Sequence, residues 1–159
     1  MPDESEEAPP VVDSSYVRAY AVVRPDVVFT SKQRVFVGGV KVGPASRLVV
    51  AFNGRSNDYL LLLCDEDWES FAAAGAPTIE DAIDQAERWY AGISNHWVRT
   101  AYTSQEDRLN LEEYYGDCKC SFCGALPSES REMVRGENAW ICNGCIASFH
   151  EDLDDEPQT

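Results

Sequence analysis

Two pairs of cysteines near the end of the chain constrain its fold more than any other feature. Two residues separate Cys120 from Cys123 and Cys142 from Cys145, and 18 residues lie between the pairs. This spacing lets four sulfurs converge on one ion, and the intervening segment is long enough for a hairpin. Under reducing conditions such pairs indicate metal ligands rather than disulfides. The sequence therefore predicts one structural zinc ion per chain.

The other two of the six cysteines have weaker claims to a metal. Cys118 lies two residues before Cys120 and is an alternative ligand to it, although the two-residue spacing of Cys120 and Cys123 favours that pair. Cys64 ends a run of four leucines and is expected to be a buried core thiol. A redox-active cysteine pair is disfavoured, because neither pair lies in a strand-to-helix setting of the thioredoxin type.

The formal charge of −15 is concentrated at the two ends of the chain. Residues 1–14 and 154–159 are expected to be acidic tails without folded structure, because they offer few side chains to bury. Nucleic-acid affinity depends on basic groups that release phosphate counterions, so this charge does not favour a nucleic-acid partner. No apolar run is long enough to span a bilayer and the N-terminus is acidic, so we expect a cytoplasmic protein without membrane partners.

The segment from Tyr16 to Asp65 has the composition of antiparallel strands. Strand-like runs extend over residues 16–29, 33–42, 48–53 and 59–64, and turn residues separate the last two runs. A further strand is expected between His96 and Tyr102. These runs predict a small antiparallel sheet of three or four strands.

One helix is predicted after this sheet. Thr78 is positioned to cap its N-terminus, the carboxylate of Asp81 can accept hydrogen bonds from the free amides of the first turn, and Gly92 ends the helix. Apolar residues then recur at helical spacing, and Trp89 is expected on the buried face. We predict an α+β fold over residues 15–104, in which this amphipathic helix packs on the sheet, followed by a polar linker at 105–117.

Residues 118–153 resemble a known family. The features that match, besides the four cysteines, are Ser121-Phe122, Gly124, Met133-Val134, Gly136 and Trp140-Ile141. Together they resemble the zinc-binding domain that begins the bacterial unfoldase ClpX. The resemblance implies a treble-clef-like module that forms a homodimer through apolar surface and captures substrates or adaptor proteins. The family's ATPase domain is expected to follow such a module, but the sequence ends at Thr159 and contains no phosphate-binding loop motif.

Catalysis is not expected, because the remaining candidate groups are more simply explained as structural. Cys64 and His96 are the sole formal pair of nucleophile and base before the zinc module, and nothing in the sequence activates them. His150 is not needed as a ligand when four thiolates fill the site. Asp65, Glu66, Asp67 and Glu69 form an acidic cluster that is most simply a solvated loop, although a hydrolase could use it.

These observations favour a non-enzymatic adaptor or interaction protein. Its zinc module is expected to dimerise or to bind protein partners, including unfolded ones, in protein quality control. A nucleic-acid-associated regulator is the alternative, because residues 16–55 contain one acid, Asp26, against seven bases. Internal pairing with the acidic helix is the simpler explanation of these bases, which are Arg18, Arg24, Lys32, Arg34, Lys41, Arg47 and Arg55.

Overall fold

The computed structural model describes residues 6–54, 56–115, 119–126 and 133–154. The chain divides into two compact units, Met1–Tyr102 and Thr103–Thr159. The strands are β1 (Val11–Val12), β2 (Ser15–Val22), β3 (Val28–Phe29), β4 (Val35–Val37), β5 (Val40–Val42), β6 (Arg47–Asn53), β7 (Asp58–Cys64), β8 (Ser70–Ala76), β9 (Tyr90–Ala91), β10 (Trp97–Arg99), β11 (Met133–Arg135) and β12 (Trp140–Cys142). The α-helices are α1 (Ile79–Trp89), α2 (Ser104–Tyr115) and α3 (Asn143–Asp154).

A six-stranded antiparallel sheet forms the centre of the first unit, and the α+β class is confirmed. Its strands follow the order β1-β2-β6-β7-β8, and β10 also pairs with β2. Strands β6 and β7 are nearly continuous in apolar residues because both faces of the sheet are covered. Successive side chains point to opposite faces. Leu61 and Leu63 therefore pack in one core cluster, while Leu62 and Cys64 pack in the other.

Helix α1 covers the first of these two faces. The Thr78 hydroxyl accepts a hydrogen bond from the Asp81 amide at 3.1 Å, so the helix begins where the capping pattern predicts. Ala82 and Ala86 are fully buried against the sheet. Trp89 is only partly buried, although it packs against the same cluster. The small alanine side chains thus set the closest contact between helix and sheet.

The N-terminal segment contributes to the second face, which corrects the prediction of a tail over residues 1–14. Ala8 and Val12 are buried in that core, and β1 pairs with β2. The amide of Val17 also donates to the carbonyl of Pro10 at 3.0 Å. A short apolar segment can therefore be held by a sheet edge and a core even when acidic residues precede it. Residues 1–5 and 155–159 of the predicted tails lie outside the described residues.

Strands β4 and β5 form a separate two-stranded hairpin. Gly38 and Gly39 have φ angles of 59° and 81°, which suit a two-residue turn with the twist that hairpins require. The register places Phe36 opposite Lys41 and Val37 opposite Val40. Phe36, Val37 and Val40 are all exposed, so this hairpin presents apolar side chains to solvent.

The second unit begins with a helix where the sequence indicated only a polar linker at 105–117. The amide of Glu106 donates to the hydroxyl of Thr103 at 3.2 Å, and the Glu106 carboxylate accepts from the Thr103 amide at 2.7 Å. This reciprocal arrangement is a capping box, and it starts helix α2. The linker prediction overlooked the Thr-x-x-Glu pattern that produces it.

Candidate metal centre

The first cysteine pair lies in a tight turn that precedes β11. The amide of Gly124 donates to the carbonyl of Cys120, and the amide of Cys120 donates to the carbonyl of Ala125, both at 2.9 Å. Gly124 adopts a φ of 75°, which a glycine accommodates without the strain of a side chain. This turn orients both Cys120 and Cys123 toward one point.

The second pair lies where a strand becomes a helix. In the β11–β12 hairpin, Met133 pairs with Cys142, which is the last residue of β12 and is buried. Cys145 follows within the first turn of α3, so the change from strand to helix brings its sulfur back toward that of Cys142. The amide of Cys145 lies 3.4 Å from Cys142 Sγ, as expected for an amide that turns toward a sulfur ligand.

Backbone and side-chain hydrogen bonds join the two cysteine pairs. The amide of Ser121 donates to the carbonyl of Trp140 at 2.8 Å, and the Trp140 amide donates to Ser121 Oγ at 3.1 Å. The amide of Cys142 lies 3.4 Å from Cys120 Sγ. Residues 121 and 140 are therefore structural partners, a role that spacing of the cysteines alone does not reveal.

The four predicted ligands form one cluster whose size suits zinc. All four sulfurs lie within 4.8 Å of one another. The Cys120 and Cys145 sulfurs are 3.7 Å apart, and those of Cys123 and Cys142 are 3.6 Å apart. A tetrahedral site with Zn–S bonds of about 2.3 Å has edges of about 3.8 Å, so the observed separations match a four-thiolate zinc site.

The electrostatics of the cluster also favour a cation. A hydrogen bond from the Cys123 amide lowers the pKa of Cys120 to about 6. Desolvation is the main cause that raises the pKa of Cys145 to about 12, and hydrogen bonds from its thiol to the neighbouring sulfurs and the negative charge of Cys120 add to it. The first sulfur to ionise therefore disfavours a second negative charge beside it. A divalent ion bound by all four sulfurs offsets this repulsion and allows full deprotonation.

The fold and the cysteine cluster define a zinc-binding module of the four-cysteine class. Residues 118–155 match the family model described as the ClpX C4-type zinc finger, which confirms the resemblance seen in the sequence. The match and the geometry together indicate that the chain binds one zinc ion. Residues 1–117 lie outside the match, and no solved structure was found to be similar to the chain.

The remaining candidate ligands do not join this cluster. Within the described ranges, the four cysteines are the sole group of three or more metal-ligating side chains found close together. His150 lies 3.5 Å from Asp154 on the exposed surface of α3. Cys118 lies outside the described residues.

The formal nucleophile and base of the first unit have separate surroundings. Cys64 is fully buried in the second core cluster, and burial raises the pKa of its thiol to about 12. The neutral thiol is therefore favoured near neutral pH, as expected of a core cysteine. His96 Nε2 lies instead 2.9 Å from the Asp26 carboxylate.

The acidic cluster after β7 forms a hydrogen-bonded turn. Asp65 Oδ1 accepts hydrogen bonds from the amides of Asp67 and Glu69 at 2.9 and 3.0 Å. Asp65, Glu66, Asp67 and Glu69 are all exposed, as a solvated loop requires. The carboxylate of Asp65 thus closes the connection between β7 and β8.

The basic residues of the first unit have varied surroundings. Arg24 forms a two-bond pair with Glu6, at 2.8 and 2.7 Å, rather than with helix α1. The guanidinium of Arg47 lies over the ring of Trp68. Lys32, Arg34 and Lys41 are exposed around the β4–β5 hairpin.

None of the described helices is both long and apolar enough to cross a membrane.

Proposed function

We propose that this chain is a non-enzymatic, cytoplasmic interaction protein of the adaptor type. In this proposal the α+β unit recognises a partner, and the zinc module pairs two copies of the chain or holds other proteins, including unfolded ones. A role in protein quality control follows from the family resemblance. Zinc serves in folding rather than in chemistry, because four thiolates leave no open position for a substrate.

An exposed apolar surface on the zinc module is the observation that carries this proposal. It consists of Phe122, Ile146, Phe149 and Leu153, here called the α3 surface, with exposures of 61, 41, 39 and 72%. Phe122 and Phe149 contact each other edge to face with centroids 5.0 Å apart. A cluster of this kind on a small module is typical of a protein-interaction site.

A homodimer is the pairing that we expect through the α3 surface. Closed two-fold pairing is the commonest oligomeric arrangement, and it lets the same apolar side chains cover one another. The exposed acids Glu151, Asp152 and Asp154 on α3 would approach their copies and oppose association. Salt screens such charges over about 8–10 Å, so the dimer should become tighter as salt rises.

Sedimentation of the full-length, zinc-loaded protein at low and high salt tests this proposal. We expect a dimer at tens of micromolar protein. The double substitution I146S/L153S should make it monomeric without loss of zinc. V98S is a matched control, because Val98 is exposed on β10, outside the zinc module. A monomer at both salt concentrations, or an I146S/L153S dimer as stable as the parent, would contradict pairing through the α3 surface.

The proposed module architecture is treble-clef-like. A tight turn that carries one cysteine pair, a β-hairpin and a following helix are the parts of such a fold. Here they are the turn at Cys120–Cys123, the β11–β12 hairpin and helix α3. Cys142 and Cys145 lie at the junction of hairpin and helix, which supports this assignment.

A nucleic-acid-associated regulator is the second candidate function. Residues 27–57 contain no acid and five bases, in a chain whose net charge is −15. Three of these bases are exposed: Lys41 lies opposite the exposed Phe36 in the hairpin, and Lys32 and Arg34 precede β4. Aromatic side chains with nearby cations suit single-stranded nucleic acid. Binding of single-stranded and duplex DNA should then fall steeply as salt rises. Absence of binding at low salt would exclude this candidate.

A further inference from the structure

Strand β8 forms one edge of the six-stranded sheet. It pairs with β7 on one side, and no other described strand pairs with it. Apart from the β7 ladder, the described residues supply no backbone partner for Ser70–Ala76. An edge strand of this kind carries a row of unpaired amides and carbonyls, which are available to another extended chain.

Over Ala72–Ala76 this edge lacks the features that usually prevent such pairing. Natural edges are blunted by charged side chains, prolines or bulges within the strand. The sequence of β8 is SFAAAGA, which has no charge and no proline. Its one register irregularity lies opposite Leu63 and Cys64, at the start of the strand, so Ala72–Ala76 form a regular ladder opposite Tyr59–Leu63. Ala73 and Gly75 are exposed and leave room for larger side chains on an incoming strand.

Acidic groups lie at both ends of β8. The exposed carboxylates of Asp65, Glu66, Asp67 and Glu69 precede it, and those of Glu80, Asp81 and Asp84 follow it. Residues 56–87 contain no Lys or Arg. Two cations from other parts of the unit reach these segments, since Arg99 lies 3.4 Å from Glu80 and the Arg47 guanidinium lies over the ring of Trp68. The edge is therefore uncharged over Ala72–Ala76, the Ser70 hydroxyl at its start donates to the carboxylate of Asp13 at 3.1 Å, and acids outnumber bases at both ends.

We propose that the β8 edge binds an extended peptide segment of a partner protein that carries basic residues on both sides of an uncharged stretch. The segment adds a strand to the sheet through main-chain hydrogen bonds, and its cations meet the acids at the two ends. Pairing of β8 with β8 of a second copy is disfavoured, because it would bring the same acidic ends together. The inference deepens the proposed function by naming the chemistry of the partner, but it does not depend on the α3 surface.

The first test uses a synthetic peptide and the full-length, zinc-loaded protein. The probe contains alternating Val and Thr with two lysines at each end. We expect it to bind more weakly as salt rises and to slow hydrogen exchange of the β8 amides. The control peptide has the same charge but is N-methylated at four consecutive central residues. The methyl groups block main-chain hydrogen bonds along both of its edges, so it should not slow hydrogen exchange of the β8 amides. Equal binding of both peptides would overturn strand addition, because charge alone would then explain the interaction.

The second test addresses the acidic ends without disturbing the core. E66Q/E69Q should weaken binding of the lysine-flanked probe about fivefold, as expected for two exposed ion pairs. E113Q/E137Q removes two exposed acids of the second unit and should leave binding unchanged. Equal losses in the two variants would show that only net charge matters. Self-association of the protein is the competing outcome. If the A73K substitution abolishes it and the N-methylated peptide leaves it intact, the β8 edge pairs with a second copy, and the proposal is overturned. Because sedimentation of I146S/L153S tests the α3 surface separately, failure of one proposal is distinguishable from failure of the other.

Discussion

The hydroxyl of Tyr90 accepts a hydrogen bond from the backbone amide of Ala45 at 2.8 Å, in the core of the first unit. Both residues are buried, and 45 positions separate them in the chain. The bond joins the end of helix α1 to the segment that enters β6. Burial raises the pKa of this tyrosine, so the neutral phenol is retained well above neutral pH.

The Y90F substitution should therefore destabilise the first unit. It leaves the buried amide of Ala45 without its partner, which costs about 1–3 kcal/mol of unfolding free energy. Chemical denaturation followed by fluorescence measures this change. Y59F is a control, because Tyr59 is only partly buried and its ring packs against Phe52. Equal stability of Y90F and the parent protein would show that the hydrogen bond contributes nothing net.

Glu87 gives a pH-dependent prediction. Its carboxylate accepts hydrogen bonds from the amides of Gly92 and Ser94 at 2.8 and 3.0 Å and also from the Ser94 hydroxyl. The Gly92 amide is the main cause of the lowered pKa of Glu87. A lowered folded-state pKa means that this stabilisation is present above the ordinary value of 4.5 and is lost as pH falls through the folded value.

E87Q should accordingly lower the unfolding free energy by about 1 kcal/mol near neutral pH, because Glu87 is only partly buried and solvent screens part of its charge-assisted hydrogen bonding. The difference between E87Q and the parent protein should shrink in acid, once Glu87 itself is protonated. Thermal melts of both proteins from neutral pH down into acid measure this difference in stability. A difference that stays constant with pH would show that the charge of Glu87 is irrelevant.

Trp89 tests how helix α1 meets the sheet. Its side chain packs against the first core cluster but is only partly buried. W89A should therefore cost about 3 kcal/mol, at the lower end for loss of a large aromatic side chain. V98A, at an exposed position on β10, should change the melting temperature little. An unchanged melting temperature for W89A would indicate that this side chain serves a partner rather than the fold.

Loss of one zinc ligand should affect the two units differently. C142S should release the metal and unfold residues 119–126 and 133–154, because structural zinc supplies on the order of 10 kcal/mol of apparent folding free energy. The α+β unit should stay folded. C64A is the reciprocal control, since it should keep zinc and destabilise only the first unit. Elemental analysis and circular dichroism measure both effects, and zinc retained by C142S would contradict the assigned ligand set.

Local signals explain which parts of the fold were predictable. The turn between β6 and β7 and the Thr78 cap of α1 depend on residues within a few positions of each other. Strand β8 was not predicted, because alanine and glycine are depleted in strands. It forms through the ladder that β7 offers, which is a long-range effect. The metal site was predictable because ligand spacing is itself a local pattern, whereas the pairing of Ser121 with Trp140 depends on folding.

The burial of Ala8 and Val12 has a practical consequence for anyone who shortens this protein. A variant that begins at Ser15 would remove the acidic residues that look dispensable, together with side chains that cover Val17, Val49 and Leu62 on the second face of the sheet. That face would then meet water as an apolar surface beside an edge of β2 left without β1. Poor solubility of such a shortened protein would therefore result from the loss of residues that belong to its core, and it would not show that the parent protein is unstable.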